Sequence, residues 1–148
     1  MSASEPRSIR LSASVLRRLR ERATRYPGGK PATVAAQLID EGLRMADYPG
    51  IVFRDGPTGR RAGLAAGPDV WEVVEAINST KRAEPGLSES ELVDLVSENT
   101  GIAARLVHTA VSYWAAWPDE IEESIAANQR AEVTQMAAVQ RSHRLLAQ

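Results

Sequence analysis

The 148-residue chain is 43% hydrophobic and 25% charged, ordinary values for a water-soluble globular protein with room for one or two small domains. It has no cysteine, which excludes disulfides, thiol nucleophiles and thiolate-held zinc. No apolar run nears the length of a membrane span and no continuous apolar stretch opens the chain, so a cytoplasmic protein is expected. The net charge of −1 conceals a split. Residues 1–44 carry nine Lys/Arg against four Asp/Glu, or +5, while the remainder carries nine against fifteen, or −6. A basic first part suits a polyanion; an acidic second part does not.

The chain opens on an alternation. In Arg7-Ser8-Ile9-Arg10-Leu11-Ser12, the apolar Ile9 and Leu11 point to one face of an extended segment, and Ser8, Arg10 and Ser12 to the other. No second strand follows nearby. A helix does, capped by Ser12 or Ser14 and striped by Val15, Leu16, Leu19 and Ala23. Tyr26-Pro27-Gly28-Gly29 ends it. A second helix is expected from near Thr33 to Tyr48-Pro49-Gly50, burying Ala35, Leu38, Ile39 and Leu43. One strand and two helices are too little to enclose a core. The economical solution is a homodimer in which two copies of the strand pair antiparallel over four helices. Such a ribbon fits the DNA major groove. Two competing readings are a basic amphipathic helix behind a disordered N-terminus, and a membrane-surface helix. The second is weakened by an apolar face without Trp or Phe.

Residues 7–46, through RSIRLSASVLRRL and TVAAQLIDEGLRM, resemble the ribbon–helix–helix fold of bacterial repressors and antitoxins of the plasmid copy-control repressor type. The resemblance implies base reading by Ser8, Arg10 and Ser12, with Arg7 beside them. It also implies phosphate clamping by the backbone N–H groups of Thr33 and Val34, a helix-start anion site that Lys30 supplements. The loop GGKPAT departs from the pattern, since many members place a polar residue where Val34 stands.

Ile51-Val52-Phe53-Arg54 and Arg60-Arg61-Ala62-Gly63-Leu64 flank Asp55-Gly56-Pro57-Thr58-Gly59 and predict a β-hairpin. Gly56, Gly59 and Gly63 do not make a phosphate loop, because the G-x-x-x-x-G-K-[ST] frame is missing. After Gly67-Pro68 a helix is expected through Val70, Trp71, Val74 and Ile77. Ser88-Glu89-Ser90-Glu91 is a capping box for a short helix bearing Leu92, Val93, Leu95 and Val96. Asn99-Thr100-Gly101 turns the chain into a third helix with Ile102, Leu106, Val107, Ala110, Val111 and Trp114 inward. That order, with the hairpin alongside, outlines a winged helix-turn-helix. Its exposed Arg105, His108, Thr109 and Ser112 stand among Glu89, Glu91, Asp94 and Glu98, a poor setting for phosphates. Protein contact or dimer support is the better expectation.

Residues 49–127, above all Tyr113-Trp114 and Trp117-Pro118-Asp119-Glu120-Ile121, resemble a small winged-helix-like domain of unknown function found in bacterial antitoxins, often encoded beside PIN-like ribonuclease toxins. The resemblance implies toxin neutralisation. Pro118 with Asp119 and Glu120 starts a last helix, whose Ile121 and Ile125 continue the core. Beyond Ala127 the apolar positions thin to Val133, Met136, Val139, Leu145 and Leu146. This is either a frayed tail or a segment that orders on a partner. Arg130, Arg141 and Arg144 suit an acidic toxin surface.

The expected architecture is therefore mainly α: a ribbon–helix–helix domain (1–48), a winged-helix-like domain with a β-hairpin (49–127) and a C-terminal helix or tail (128–148). Catalysis is not expected. His108 and His143 are the only histidines, and neither a metal-ligand motif nor a nucleophile elbow is present, so no metal or cofactor is expected. Operator DNA would be held by Arg7, Ser8, Arg10, Ser12, Lys30, Thr33 and Val34. A toxin would be held by Trp117, Ile121, Ile125, Arg130, Val133, Met136, Val139, Arg141, Arg144 and Leu145. Together these describe a type II antitoxin that represses its own operon. The alternatives are a stand-alone repressor whose acidic domain assembles oligomers, and a plasmid-partition adaptor.

Overall fold

Ser12 and Pro31 set the two helix starts of the N-terminal region. In the computed structural model, which describes residues 5–57 and 59–147, Ser12 is extended and its hydroxyl accepts the Val15 N–H at 3.3 Å. This cap opens α1 (Ala13–Ala23). Gly28 turns the chain at φ +66°, where a side chain would be strained. Helix α2 then runs Pro31–Asp47. It begins earlier than the expected Thr33 because proline, lacking an N–H, is suited to the first helical position.

The chain divides into two compact units, Met1–Leu43 and Arg44–Gln148, so the division falls inside α2 rather than at Tyr48-Pro49. The first unit encloses little. Ala23 and Val34 are buried, and Leu16, Leu19, Ala35 and Leu38 are half-buried. Val15, Ile39 and Leu43, expected inside, are exposed. Buried Glu41 accepts a hydrogen bond from Gln37 at 3.0 Å.

The second unit contains the two strands of the described residues, β1 (Ile51–Gly56) and β2 (Gly59–Leu64), paired antiparallel from Ile51↔Leu64 to Gly56↔Gly59. The ladder thus reaches further into the turn than the sequence suggests, taking in Asp55, Gly56 and Gly59. Thr58 lies outside the described residues. Four helices follow: α3 (Val70–Ala83), α4 (Glu89–Thr100), α5 (Ala104–Ala116) and α6 (Pro118–Leu146). The molecule is mainly helical, with six helices and one hairpin among the described residues.

The caps of α4 are those expected. Ser88 Oγ accepts the Glu91 N–H at 3.3 Å, and the Glu91 carboxylate accepts the Ser88 N–H at 2.8 Å. Hydrogen bonds from the Ser88 hydroxyl and backbone hold the Glu91 carboxyl below its usual range. Gly101 closes the helix in the left-handed region at φ +72°.

Two polar nodes lock this unit. At the first, Asp69 precedes α3 and is buried, and its carboxylate pairs with Arg54 of β1 (3.4 Å) and Arg61 of β2 (3.0 Å). Arg54 Nη2 also donates to the carbonyls of Leu64 and Gly67. Gly63 makes room for this crossing, since a Cβ there would lie 2.6 Å from Arg54 Nη2 and 3.0 Å from Asp69 Oδ1. The glycine that superficially invites a phosphate-loop reading is a clearance for an arginine.

At the second node the Tyr113 ring is fully buried with Ile51, Leu64, Val70, Val73, Val96, Val107 and Ile121 around the same core. Its hydroxyl donates to Glu120 at 2.7 Å and accepts from Arg44 at 2.8 Å. Arg44 also reaches Glu120 at 3.0 Å and lies 4.4 Å from the Trp117 ring centre. Trp117 stacks on Tyr113 (4.7 Å), while Tyr48 meets both edge-on. Sequence periodicity places Val111 and Trp114 inside α5. Instead Val111 is exposed and Trp114 half-buried, because Val107, Ala110 and Tyr113 form the inward row.

Helix α6 is one continuous helix, about 43 Å long at 1.5 Å per residue. Residues 128–147 extend it rather than forming a separate tail, and from Gln129 onward only Ala137 is even half-buried.

Replacing Asp69 by Ala is expected to cost about 1–3 kcal/mol, because Arg61 and Arg54 lose their buried carboxylate, although Arg54 keeps the Leu64 and Gly67 carbonyls. The cost falls short of the roughly 3–5 kcal/mol for a fully enclosed pair, since the Arg54 and Arg61 side chains are 37% and 28% exposed. Urea unfolding of the variant measures it.

Burial, then the bond to Glu120, raises the Tyr113 hydroxyl above its ordinary value of 10.0. The folded chain holds that proton more tightly than the unfolded one, so this stability is complete below pH 10 and declines above it. From about pH 10 to about pH 11 the melting temperature of the parent chain should fall more steeply than that of Tyr113→Phe.

Candidate nucleic-acid interface

The first unit presents a short extended lead, a turn and two helix starts. Residues 5–12 take no regular secondary structure in the single chain. The strand expected over residues 7–12 is thus not formed here, since a strand exists only where a neighbour completes its hydrogen bonds. Every side chain in the segment is exposed. Ile9 is 63% exposed and Leu11 41%, the opposite of what apolar residues on one face of an extended segment require.

Of the seven positions expected to meet DNA, Arg7, Ser8, Arg10 and Ser12 are together in this lead, and all are exposed. Arg7 is engaged by Glu5 at 2.8 Å; both side chains are largely solvated, so the pair is readily exchanged for a phosphate. Ser12 differs from Ser8 and Arg10 because its hydroxyl already caps α1. It belongs to the fold before it belongs to a ligand.

Lys30, Thr33 and Val34 gather at the start of α2, on the turn formed by Tyr26 to Gly29. The structure corrects the position of the N–H cradle. The Val34 N–H already bonds the Lys30 carbonyl at 3.1 Å, and its side chain is buried. A helix that starts at Pro31 leaves its unpaired donors at Ala32 and Thr33 instead. Lys30 and Thr33 are exposed beside them. The arginines of α1 follow the lead in the chain, with Arg17, Arg18 and Arg20 exposed and Arg17 3.9 Å from Glu21. They supply positive potential without a fixed geometry.

The second unit offers no comparable surface. Arg105, His108 and Ser112 are exposed on α5, but Thr109 is half-buried and bonds the Arg105 carbonyl at 3.0 Å. Glu89, Glu91, Asp94 and Glu98 are exposed on α4. Among the described residues no group of three or more His, Asp or Glu side chains is placed to hold a metal ion. No helix of the described residues is long and apolar enough to cross a membrane.

The ten residues expected to meet a protein partner separate into two sets. Ile121 and Ile125 are core residues, and Trp117 is half-buried between Tyr113, Tyr48 and Arg44. Those three are internal supports and are withdrawn from the partner surface. Val133, Met136, Val139 and Leu145 are exposed, as are Arg130, Arg141 and Arg144. Arg130 reaches back to Glu123 at 2.7 Å.

Sequence reasoning missed Arg44, Tyr113 and Asp69 as organising residues. Arg44 and Tyr113 are 69 positions apart, and no local pattern links them.

If Ile9 and Leu11 are buried only between two chains, Ile9→Glu should remove the association made by the lead and lower the solution mass while α1 and α2 remain helical. Sedimentation velocity and circular dichroism measure the two properties separately, and an unchanged mass would remove the paired-lead arrangement. Comparison with protein-family models, curated proteins and solved structures returned no match.

Proposed function

We propose that this chain is the antitoxin of a toxin–antitoxin pair: a dimeric, non-catalytic protein that binds operator DNA through its first unit, represses its own operon and engages a toxin, of the PIN-like ribonuclease class, through α6. The observation that carries the DNA half is the exposed lead of residues 7–12. Its apolar Ile9 and Leu11 have nothing to cover them in the single chain, while Ser8 and Arg10 alternate with them. Pairing two leads antiparallel buries one row and sets the other outward as a two-stranded ribbon of the ribbon–helix–helix type, the shape that enters a major groove. The donors of Ala32 and Thr33, with Lys30, then supply phosphate anchorage at the flanks.

Support for the partner half comes from α6 beyond the core. Arg130, Arg141 and Arg144 fall within about 60° of one another at 100° per residue, an arginine face suited to bidentate capture of carboxylates. A second reading, a stand-alone repressor whose acidic unit assembles dimers, is favoured by the apolar residues that the same helix exposes on its other side.

The test joins both halves. Arg10→Ala should weaken operator binding by roughly 1–3 kcal/mol per lost base contact, and leave capture of the adjacent gene's product intact. Truncation after Ala127 should do the reverse. Operator affinity unchanged in Arg10→Ala removes the ribbon; full toxin neutralisation by the truncated chain removes the α6 arginine face.

A further inference from the structure

Helix α6 continues for about 27 Å beyond the core as a solvated helix of 18 residues, Gln129 to Leu146. Helices in proteins draw most of their stability from packing an amphipathic face, and this stretch, with no core to pack on, carries an ordered row. From the buried Ile125 the row runs through Gln129, Glu132, Met136, Val139, His143 and Leu146, in steps that alternate four and three. That spacing is a heptad seam, with Gln129, Met136 and His143 at one core position and Glu132, Val139 and Leu146 at the other. Met136 is 64% exposed, Val139 48% and Leu146 83%.

The seam is symmetric under reversal about the Ala137–Ala138 bond. Turned end for end, Met136 meets Val139, Glu132 meets His143, and Gln129 meets Leu146. We propose that this seam pairs α6 antiparallel with the α6 of a second copy of the chain, Glu132 of each facing His143 of the other. The occupant is specified by how the polar positions pair. A parallel pair would set Glu132 against Glu132 and His143 against His143. An antiparallel register slipped by one heptad toward the N-terminus would oppose Glu132 to Met136. The symmetric register joins Met136 to Val139 and Glu132 to His143, and leaves Gln129 opposite Leu146 at the ends. Glu132 takes a hydrogen bond from Asn128 on its own helix at 3.2 Å, which orients the carboxylate near the seam.

The flanks agree. Asn128, Val133, Gln135, Gln140 and Ser142, which border the seam, are uncharged, so nothing repels a second helix. Arg130, Arg141 and Arg144 fall on the outer face, with Arg130 bound to Glu123. The seam and the arginine face are therefore different surfaces of one helix, and self-pairing does not depend on DNA or toxin binding.

Because the chain has no cysteine, introduced thiols report neighbours directly. Two full-length chains with different tags, one Met136→Cys and the other Val139→Cys, are co-expressed and gently oxidised. The mixed-tag disulfide should dominate over either same-tag product. Dominant same-tag products would mean a parallel pair, and no disulfide would mean no pair; either result overturns the proposal. In a second measurement, His143→Glu sets acid against acid and should lower the solution mass of the wild-type assembly. The exchange Glu132→His with His143→Glu should restore it, with helix content by circular dichroism equal in all three. A mass unmoved by His143→Glu, or unrestored by the exchange, overturns the Glu132–His143 register.

Discussion

The Tyr113 hydroxyl holds the second unit together at the point where its elements converge. It lies on α5, donates to Glu120 in the first turn of α6, and accepts from Arg44. Its ring meets Phe53 of β1, Tyr48 and Trp117. A fully buried phenol needs both its donor and its acceptor role filled, or burial costs more than it returns. Here Glu120 fills one and Arg44 the other. Burial by itself would lower the Arg44 guanidinium, but the bond to Tyr113 and the charge of Glu120 hold it above its ordinary value. The charge therefore persists at any pH the fold survives. With Tyr113 fixed, Glu120 is fixed, and the direction in which α6 leaves the core follows from it.

The first unit obeys the opposite logic. Its helices have caps and turns but bury few side chains completely, and its apolar residues remain in water. Ile9 and Leu11 on the lead, Val15 on α1, and Ile39 and Leu43 on α2 form more exposed aliphatic surface than so short a stretch can shield. An incomplete core is an assembly signal when local structure is otherwise well specified, because the missing half must come from another chain. The exposed length of α6 belongs to the same category. Each unit thus exposes apolar residues, the first in its lead and helices and the second along α6.

Much of the secondary structure was legible because local chemistry dictated it. The Ser88–Glu91 capping box, the Gly101 stop and the Pro118 start rest on residues within four positions of one another, and the hairpin on two strands separated by a short turn. Where the reading slipped, a choice between neighbouring residues depended on distant ones. Pro31 rather than Thr33 opens α2, which moves the free N–H groups to Ala32 and Thr33. Tyr113 rather than Val111 faces the core, because Glu120 and Arg44 accommodate its hydroxyl. Of the expected partner residues, Trp117, Ile121 and Ile125 turn inward for the same reason: sequence marks them as apolar or aromatic, but not which surface claims them.

By itself the sequence determined the helices and hairpin, most of their ends, and the charge asymmetry between its two parts. These depend on residues close together in the chain, where propensity and periodicity act. Only the tertiary structure decided that Asp69 would clasp two strands through Arg54 and Arg61, and that Arg44 would join Tyr113 and Glu120. It also decided that α6 would outrun its core as a continuous helix. Such outcomes depend on which buried polar groups find partners across long stretches of chain, and on where the supply of covering surface ends. Neither is written in any local window of residues.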